Sequence, residues 1–553
     1  MGDFGSKSAL PAGMPLLVIA IAAGLVLAPF HWLGIPSGHD FEFHVNSWIE
    51  VLDHWKQGVA YPHWAALAHH GYGEARFIFY PPISWWLGAT LGALLRWNLV
   101  PGVYLWIALT LSGCSMFVLA RQWLPRGQAL LAAIFYLSNP YHVVIVYWRS
   151  AMAELLAAAY LPVLLLLVWR SQQPSFRALS SLSLVVAAGW LTNIPSAVMM
   201  HYSLAALALY LALSRRSKQV LVSAAAAVVL GAALAGIYLV PAIHQQHWVN
   251  VAQALGPGVR PADNFLFTVT EDADHNRFNS LVSVVALSEI ILVIALLALS
   301  WRSSKSKLWR SAMIWSLLCV PLMFRPTLIL WMHLPKLRFL QFPWRWLLCL
   351  NVPFALLLSV VTRRWWLRTL LYAAAMAAVL VGWHRVQSPW WDTAADIREM
   401  VDNQRQGIGN EGTDEYVPAG VDPYDVDVKA PQVRFEGPGT ARLRVQSWQA
   451  EMRVVVAAST SPGNLVLRLF NYPLWRVEVN GQRVATTRKA HTGEMVVPLG
   501  AGENRIQVTF VEGWDRALGG GISVLALALV GFWFTRSKFQ WVREKADPKT
   551  VRS

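Results

Sequence analysis

Over most of its length this chain alternates apolar runs with short polar stretches. The runs approach the roughly 20 residues that a helix needs to cross a hydrocarbon core of about 30 Å. The clearest are 16–33, 103–120, 155–169, 221–240, 281–299, 346–361 and 518–534. With the weaker ones they amount to about thirteen candidate spans. From Gln387 the pattern changes to period two, in 441–445, 452–456, 465–470, 475–479 and 506–510. Turn sequences separate these strands: Ser461-Pro-Gly-Asn464, Asn480-Gly481 and Ala501-Gly-Glu-Asn504. The pattern predicts a polytopic α-helical membrane protein of about 12–13 transmembrane helices, a C-terminal extracytoplasmic antiparallel β-sandwich, and a final transmembrane helix. The expected divisions are 1–384 (with a first extracytoplasmic loop at 36–76), 385–517 for the β-sandwich, and 518–553 for the last helix and a basic cytoplasmic tail.

Within the first loop, Phe41, Val45, Trp48, Ile49, Leu52 and Trp55 recur at helical spacing. This predicts an amphipathic helix along the membrane surface, its aromatic side among the headgroups.

Composition supports the membrane reading: 56% of residues are hydrophobic and 14% charged. The net charge of +15 would suit nucleic acid were it not for its distribution. Residues 385–517 hold 15 Lys+Arg and 17 Asp+Glu, and the basic excess sits elsewhere, in short clusters between apolar runs. These read as cytoplasmic loops, and nucleic acid is excluded as a partner. Cys114, Cys319 and Cys349 lie in apolar runs without metal spacing, and read as small core residues. The Lys7-bearing start and its long apolar run read as an uncleaved first span. If every run crosses, the basic clusters place the first loop inside, whereas the short basic N-terminus places it outside. Either the run at 78–95 does not cross fully, or one short basic loop breaks the positive-inside rule.

Carboxylates are scarce enough to enumerate. Between Glu74 and Asp263 there is only Glu154. Asp40 and His44 are four apart, on one helical face, where they can share a proton or ligate a divalent cation (Mg or Mn). The alternative is a solvated helix N-terminus favoured by the dipole. Glu154 opens an apolar run, with Arg149 five residues before it as its expected partner, in a functional or a structural ion pair. Arg338-Phe-Leu-Gln341-Phe-Pro-Trp-Arg345 sets guanidinium groups among aromatics, suited to phosphate recognition or to interfacial anchoring. His69-His70 with Glu74 can extend the first cluster.

Gly38-His39-Asp40-Phe41-Glu42-Phe43-His44, Tyr61-Pro62-His63-Trp64, Phe79-Tyr80-Pro81-Pro82, Arg149-Ser150-Ala151-Met152-Ala153-Glu154 and Gln341-Phe342-Pro343-Trp344-Arg345 together resemble the bacterial membrane proteins labelled "6-pyruvoyl-tetrahydropterin synthase-related". That group is similar to the GT-C superfamily of glycosyltransferases. The stretch Asn471-Tyr-Pro-Leu-Trp-Arg-Val-Glu-Val-Asn-Gly481 resembles the extracytoplasmic β-domain of large membrane glycosyltransferases in that superfamily. The resemblance implies a multi-pass protein of the bacterial inner membrane. It would transfer a sugar, with inversion, from a polyprenyl-phosphate donor to a glycan, lipid or protein acceptor at the outer face. It implies catalysis by Asp40 with Glu42 beside it; the spacing adds His44 to the catalytic set, and Arg345, Arg338 and Gln341 are the expected donor-phosphate ligands. Supporting roles fall to His39, Arg149, Glu154, Tyr80, His70 and Glu74. The rival reading is a flippase or transporter of lipid-linked glycans, whose charged residues line a path. A β-domain on a mere membrane anchor ranks last, since an anchor needs neither so many spans nor a buried Glu154.

Overall fold

The computed structural model describes residues 13–172, 175–303, 306–361, 364–386 and 391–546. The Lys7-bearing start and residues 547–553 of the basic tail lie outside them.

The chain is 65% helical. Among the described residues, nine helices are long and apolar enough to cross a membrane, from Met14–Leu33 to Trp514–Thr535. Two further pairs qualify only together: Gln219–Leu234 with Gly236–Trp248, bent by 78°, and Lys307–Met323 with Arg325–His333, bent by 91°. At the second bend Pro321 and Pro326 remove backbone donors, so the ladder cannot continue straight. Two shorter apolar helices, Phe176–Thr192 and Pro82–Leu94, account for the remaining runs. Pro82–Leu94 has 13 residues. Its length of about 20 Å falls short of a core of about 30 Å, because the helix starts only after Tyr80-Pro81.

The first-loop helix forms as Phe41–Lys56, but its aromatic face packs on protein and not among headgroups. Val45, Trp48 and Ile49 are buried in protein, and Trp48 stacks on Tyr104 at 4.8 Å. The opposite face is buried in part. Gln404, from helix Ala394–Arg405, donates to Asn46 (3.1 Å), and Arg76 donates to Ser47 (2.9 Å). At Asn46 and Ser47 the polar face meets polar partners instead of water, while Glu42 and Lys56 stay exposed.

Two-residue strands β1 (Ile35–Pro36) and β2 (Trp391–Asp392) pair antiparallel and tie the start of the loop to the far side of the membrane helices in sequence. The β-domain is two antiparallel sheets. One has the order β3-β6-β10-β9, built from Val433–Glu436, Gly463–Phe470, Glu494–Leu499 and Thr487–Arg488. The other has the order β4-β5-β11-β7-β8, built from Ala441–Trp448, Met452–Ser459, Gly502–Phe510, Trp475–Val479 and Gln482–Val484. Asn480 and Gly481, both at positive φ (52° and 78°), turn β7 into β8 as the sequence predicts. Val455, Leu465, Leu467, Val497, Ile506 and Val508 form the inner layer. The same core takes in Trp64 and Tyr72 of the first loop. Trp64 packs on Tyr472, Trp475 and Phe510, and the His63 amide donates to Glu451 (2.7 Å). Loop and β-domain are therefore built as one body.

Candidate functional site

The loop enters the site through a close approach. Gly38 lies so near the Trp148 carbonyl that an added Cβ would sit 2.5 Å from it. Its amide donates to the Ser150 hydroxyl (3.0 Å), which donates to the Pro36 carbonyl (2.9 Å). The Asp40 amide donates to the Arg149 carbonyl (2.9 Å). On the other side, a π-helical turn at Ile145–Arg149 and a left-handed Ser150 (φ 50°) end the preceding span. Such turns re-aim a side chain. Here they bring Arg149 under the loop.

Four charged groups meet as a result. Arg149 Nη1 donates to Glu154 Oε2 at 2.6 Å, and Arg345 Nε donates to the same oxygen at 3.1 Å. Tyr141, which the sequence did not flag, donates to Glu154 Oε1 at 2.7 Å. Arg149 Nη2 lies 3.9 Å from Asp40 Oδ2. Arg149 and Glu154 are buried, whereas the Asp40 side chain is 41% exposed. The expected Arg149–Glu154 pair is present, with Arg345 as a second cation. Two guanidiniums and two carboxylates balance, which is what makes such burial tolerable. Arg345 also donates to the Leu340 carbonyl (2.7 Å) and to Gln341 Oε1 (3.2 Å), and lies over the Phe342 ring at 4.6 Å.

Of these residues Asp40, Glu154, Gln341 and Arg345 open onto a cavity of about 870 Å³. At its polar end lie His39, Asp40, Glu42, His44, Tyr80, Glu154, Gln341 and Arg345. Its walls continue through Trp190, Val198, Val228, Leu239 and Ile243, side chains of membrane helices. Burial, helped by Arg76 and Arg149 and opposed by Asp40, lowers His44 to about 4, so its imidazole is neutral near pH 7.

Three expected site residues take other places. Arg338 is exposed, stacked over Phe339, and does not line the cavity. In the 3-10 turn Leu337–Leu340 residues three apart share a face. Leu337 and Leu340 take the buried face, Lys336 and Phe339 the cavity face, and Arg338 is left outside. His70 and Glu74 also stand behind the wall. Glu74 accepts from Arg76, His69 (2.9 Å) and both the amide and hydroxyl of Thr413 (2.7 and 3.0 Å). Burial alone would raise Glu74, but Arg76 and His69 overturn that and hold it at about 2.

Through Glu74 a segment absent from the sequence reading joins the site. Asn410, Glu411, Gly412, Thr413, Glu415 and Tyr416 line the cavity. Backbone bonds from His70 to Asn410 and from Ala75 to Tyr416 pin this strap. Gly412 (φ 78°) crosses the His69 ring where a Cβ would come within 2.6 Å of it. Burial, with Glu74 and Asp414 adding, raises Glu415 to about 7. No periodicity marks 410–416, and they lie far along the chain from the loop they touch. Among the described residues, no three His, Cys, Asp or Glu side chains converge as a metal set.

The matched family is described as "6-pyruvoyl-tetrahydropterin synthase related domain; membrane protein", and it covers residues 77–388, more than half of the chain. The chain belongs to this family. The match takes in Tyr80, Arg149, Glu154, Gln341 and Arg345, while Asp40 and the strap lie outside it on either side. No curated protein matches the chain.

Proposed function

We propose that this protein is a membrane glycosyltransferase, resembling the GT-C superfamily, that moves a sugar from a polyprenyl-phosphate donor to an acceptor at the extracytoplasmic face of a bacterial plasma membrane. One observation carries the reading. A half-exposed carboxylate, Asp40, and a buried guanidinium, Arg345, line a single cavity whose walls run on among apolar membrane helices. A lipid-linked sugar phosphate has that same division, a long apolar tail and an anionic head.

In this mechanism the acceptor hydroxyl attacks the anomeric carbon and its proton passes to Asp40. The bond from that carbon to the phosphate oxygen breaks with inversion, and the electron pair leaves with the polyprenyl phosphate. Arg345, oriented by Glu154 and Gln341, faces the charge that grows on the leaving oxygen. His44, neutral beside Asp40, adds no positive charge next to the carboxylate. Were a Mg or Mn ion to bind, Asp40 and His44 are the protein ligands at hand, and substrate oxygens would have to complete its shell; no step here runs through it. A flippase for lipid-linked glycans would use the same cavity, and the two readings part on the need for Asp40.

Two measurements test the proposal. Lipid extracted from gently purified protein is expected to contain a polyprenyl phosphate, several-fold depleted in Arg345→Lys, which keeps the charge but loses the planar fork. Finding no such carrier, and no thermal shift when one is added, counts against the donor. For orientation, Lys56, whose side chain is 59% exposed, is replaced by cysteine in a Cys114→Ser background. An impermeant thiol reagent should label it in intact spheroplasts. Labelling only after lysis would put the site on the wrong side.

A further inference from the structure

We infer that the open face of the five-stranded sheet is a docking surface for an anionic glycan polymer, one bearing phosphate or carboxylate groups along its repeat. Side chains alternate along these strands. Val455, Ala457, Val477, Ile506 and Val508 turn inward to the core. The outward set includes Arg442 and Arg444 on β4, Arg505 on β11, Arg476 on β7 and Arg483 on β8, all exposed. Register aligns them. Arg444 and Arg505 both sit opposite Val456, so they share one row across the sheet, two strands or about 10 Å apart. Arg442 lies two residues farther along β4, about 7 Å away. Arg483 faces Glu478, whose neighbour in the next strand is Gln507.

The contrast with the other sheet makes this more than an ordinary solvated face. There Arg434 is paired with Glu494 and Glu436, and Lys489 with Glu436. Among the described residues, none of the five outer-face arginines is in an ion pair; Arg505 donates to Gln446 (3.3 Å). Only two carboxylates, Glu478 and Glu503, share the face. The segment 385–517 as a whole has 15 Lys+Arg against 17 Asp+Glu, so these cations are gathered on one side of a slightly acidic domain. All are arginine, the residue whose planar fork fits phosphate and carboxylate.

The spread selects a polymer over a lipid surface. The β-domain docks on the first loop at the end carrying Glu451, Trp475 and Phe510. Arg476 is next to that end, whereas Arg442 lies near the opposite end of an eight-residue strand, about 25 Å away. A bilayer beyond the docking end cannot reach both, but an extended chain with charges every 7–10 Å or so can. The choice of glycan over other polyanions rests on the transferase reading; the surface itself does not.

The test uses the full chain in nanodiscs of neutral lipid, with polygalacturonate as the probe and uncharged dextran as control. At low salt the wild type should bind polygalacturonate and not dextran, and added salt should weaken the binding. The triple variant Arg442→Gln, Arg444→Gln, Arg505→Gln should bind roughly tenfold or more weakly, with its thermal transition unchanged. Absence of wild-type binding, or equal binding by the variant, overturns the inference. So does competition by phosphatidylglycerol vesicles with the same arginine dependence, which would make the face a lipid contact. Polymer binding is read without sugar transfer, so failure of one leaves the other standing.

Discussion

Asp40→Asn is expected to abolish sugar transfer in a protein that still folds and inserts. Asp40 precedes the helix Phe41–Lys56 but makes no side-chain cap bond, and its contact with Arg149 is long, at 3.9 Å. Asparagine is nearly isosteric and suits the same position, so the stability change should be about 1 kcal/mol or less. Loss of the group that takes the hydroxyl proton should cost roughly 10²–10⁴ in rate. The assay is transfer from a polyprenyl-linked sugar in membranes matched for expression. Wild-type transfer by the variant would remove Asp40 as the base and direct attention to Glu42, Glu411 or Glu415, the acids on the cavity wall besides the ion-paired Glu154. If the wild type never transfers sugar while the carrier lipid crosses the bilayer, the flippase reading stands in place of the transferase.

Glu154→Gln should act on the fold instead. The carboxylate holds Arg149 and Arg345 together inside the protein, and all three are buried. Without it the two guanidiniums face each other with only the distant Asp40 as counter-charge. Removing one member of a buried charge network typically costs about 3–5 kcal/mol, because the charges left behind are uncompensated. The expected result is a large loss of monodisperse protein and a much lower thermal transition followed by tryptophan fluorescence in detergent. The double variant Glu154→Gln, Arg345→Gln should recover part of that loss, since it removes one orphaned charge along with its partner. An unchanged transition in Glu154→Gln would show that the network contributes nothing to stability.

How much of this was legible beforehand follows from the range of the forces involved. Span length is a local property: hydrocarbon thickness dictates it, so the apolar runs were readable one at a time. The period-two runs and the Asn480-Gly481 turn are equally local, and they predicted five of the β-domain strands and one of its turns. Scarcity made Glu154 conspicuous, and its partner Arg149 is only five residues away. Arg345 joined them from 191 residues along the chain, which no spacing rule reaches.

The first-loop helix shows the limit most clearly. Its amphipathic pattern was correct, but a pattern says that one face is polar without saying what the polar face meets. Around Asn46 and Ser47, Gln404 and Arg76 occupy the place that the sequence assigned to water. Arg338 and Arg345 were equivalent as sequence, guanidiniums among aromatics. A 3-10 turn set one outside and the other against Glu154, because backbone rotation per residue decides which side chains share a face. The strap 410–416 had no local signal at all. It reached the cavity through backbone bonds and the Glu74 carboxylate, and contacts of that kind exist only once distant segments have been brought together.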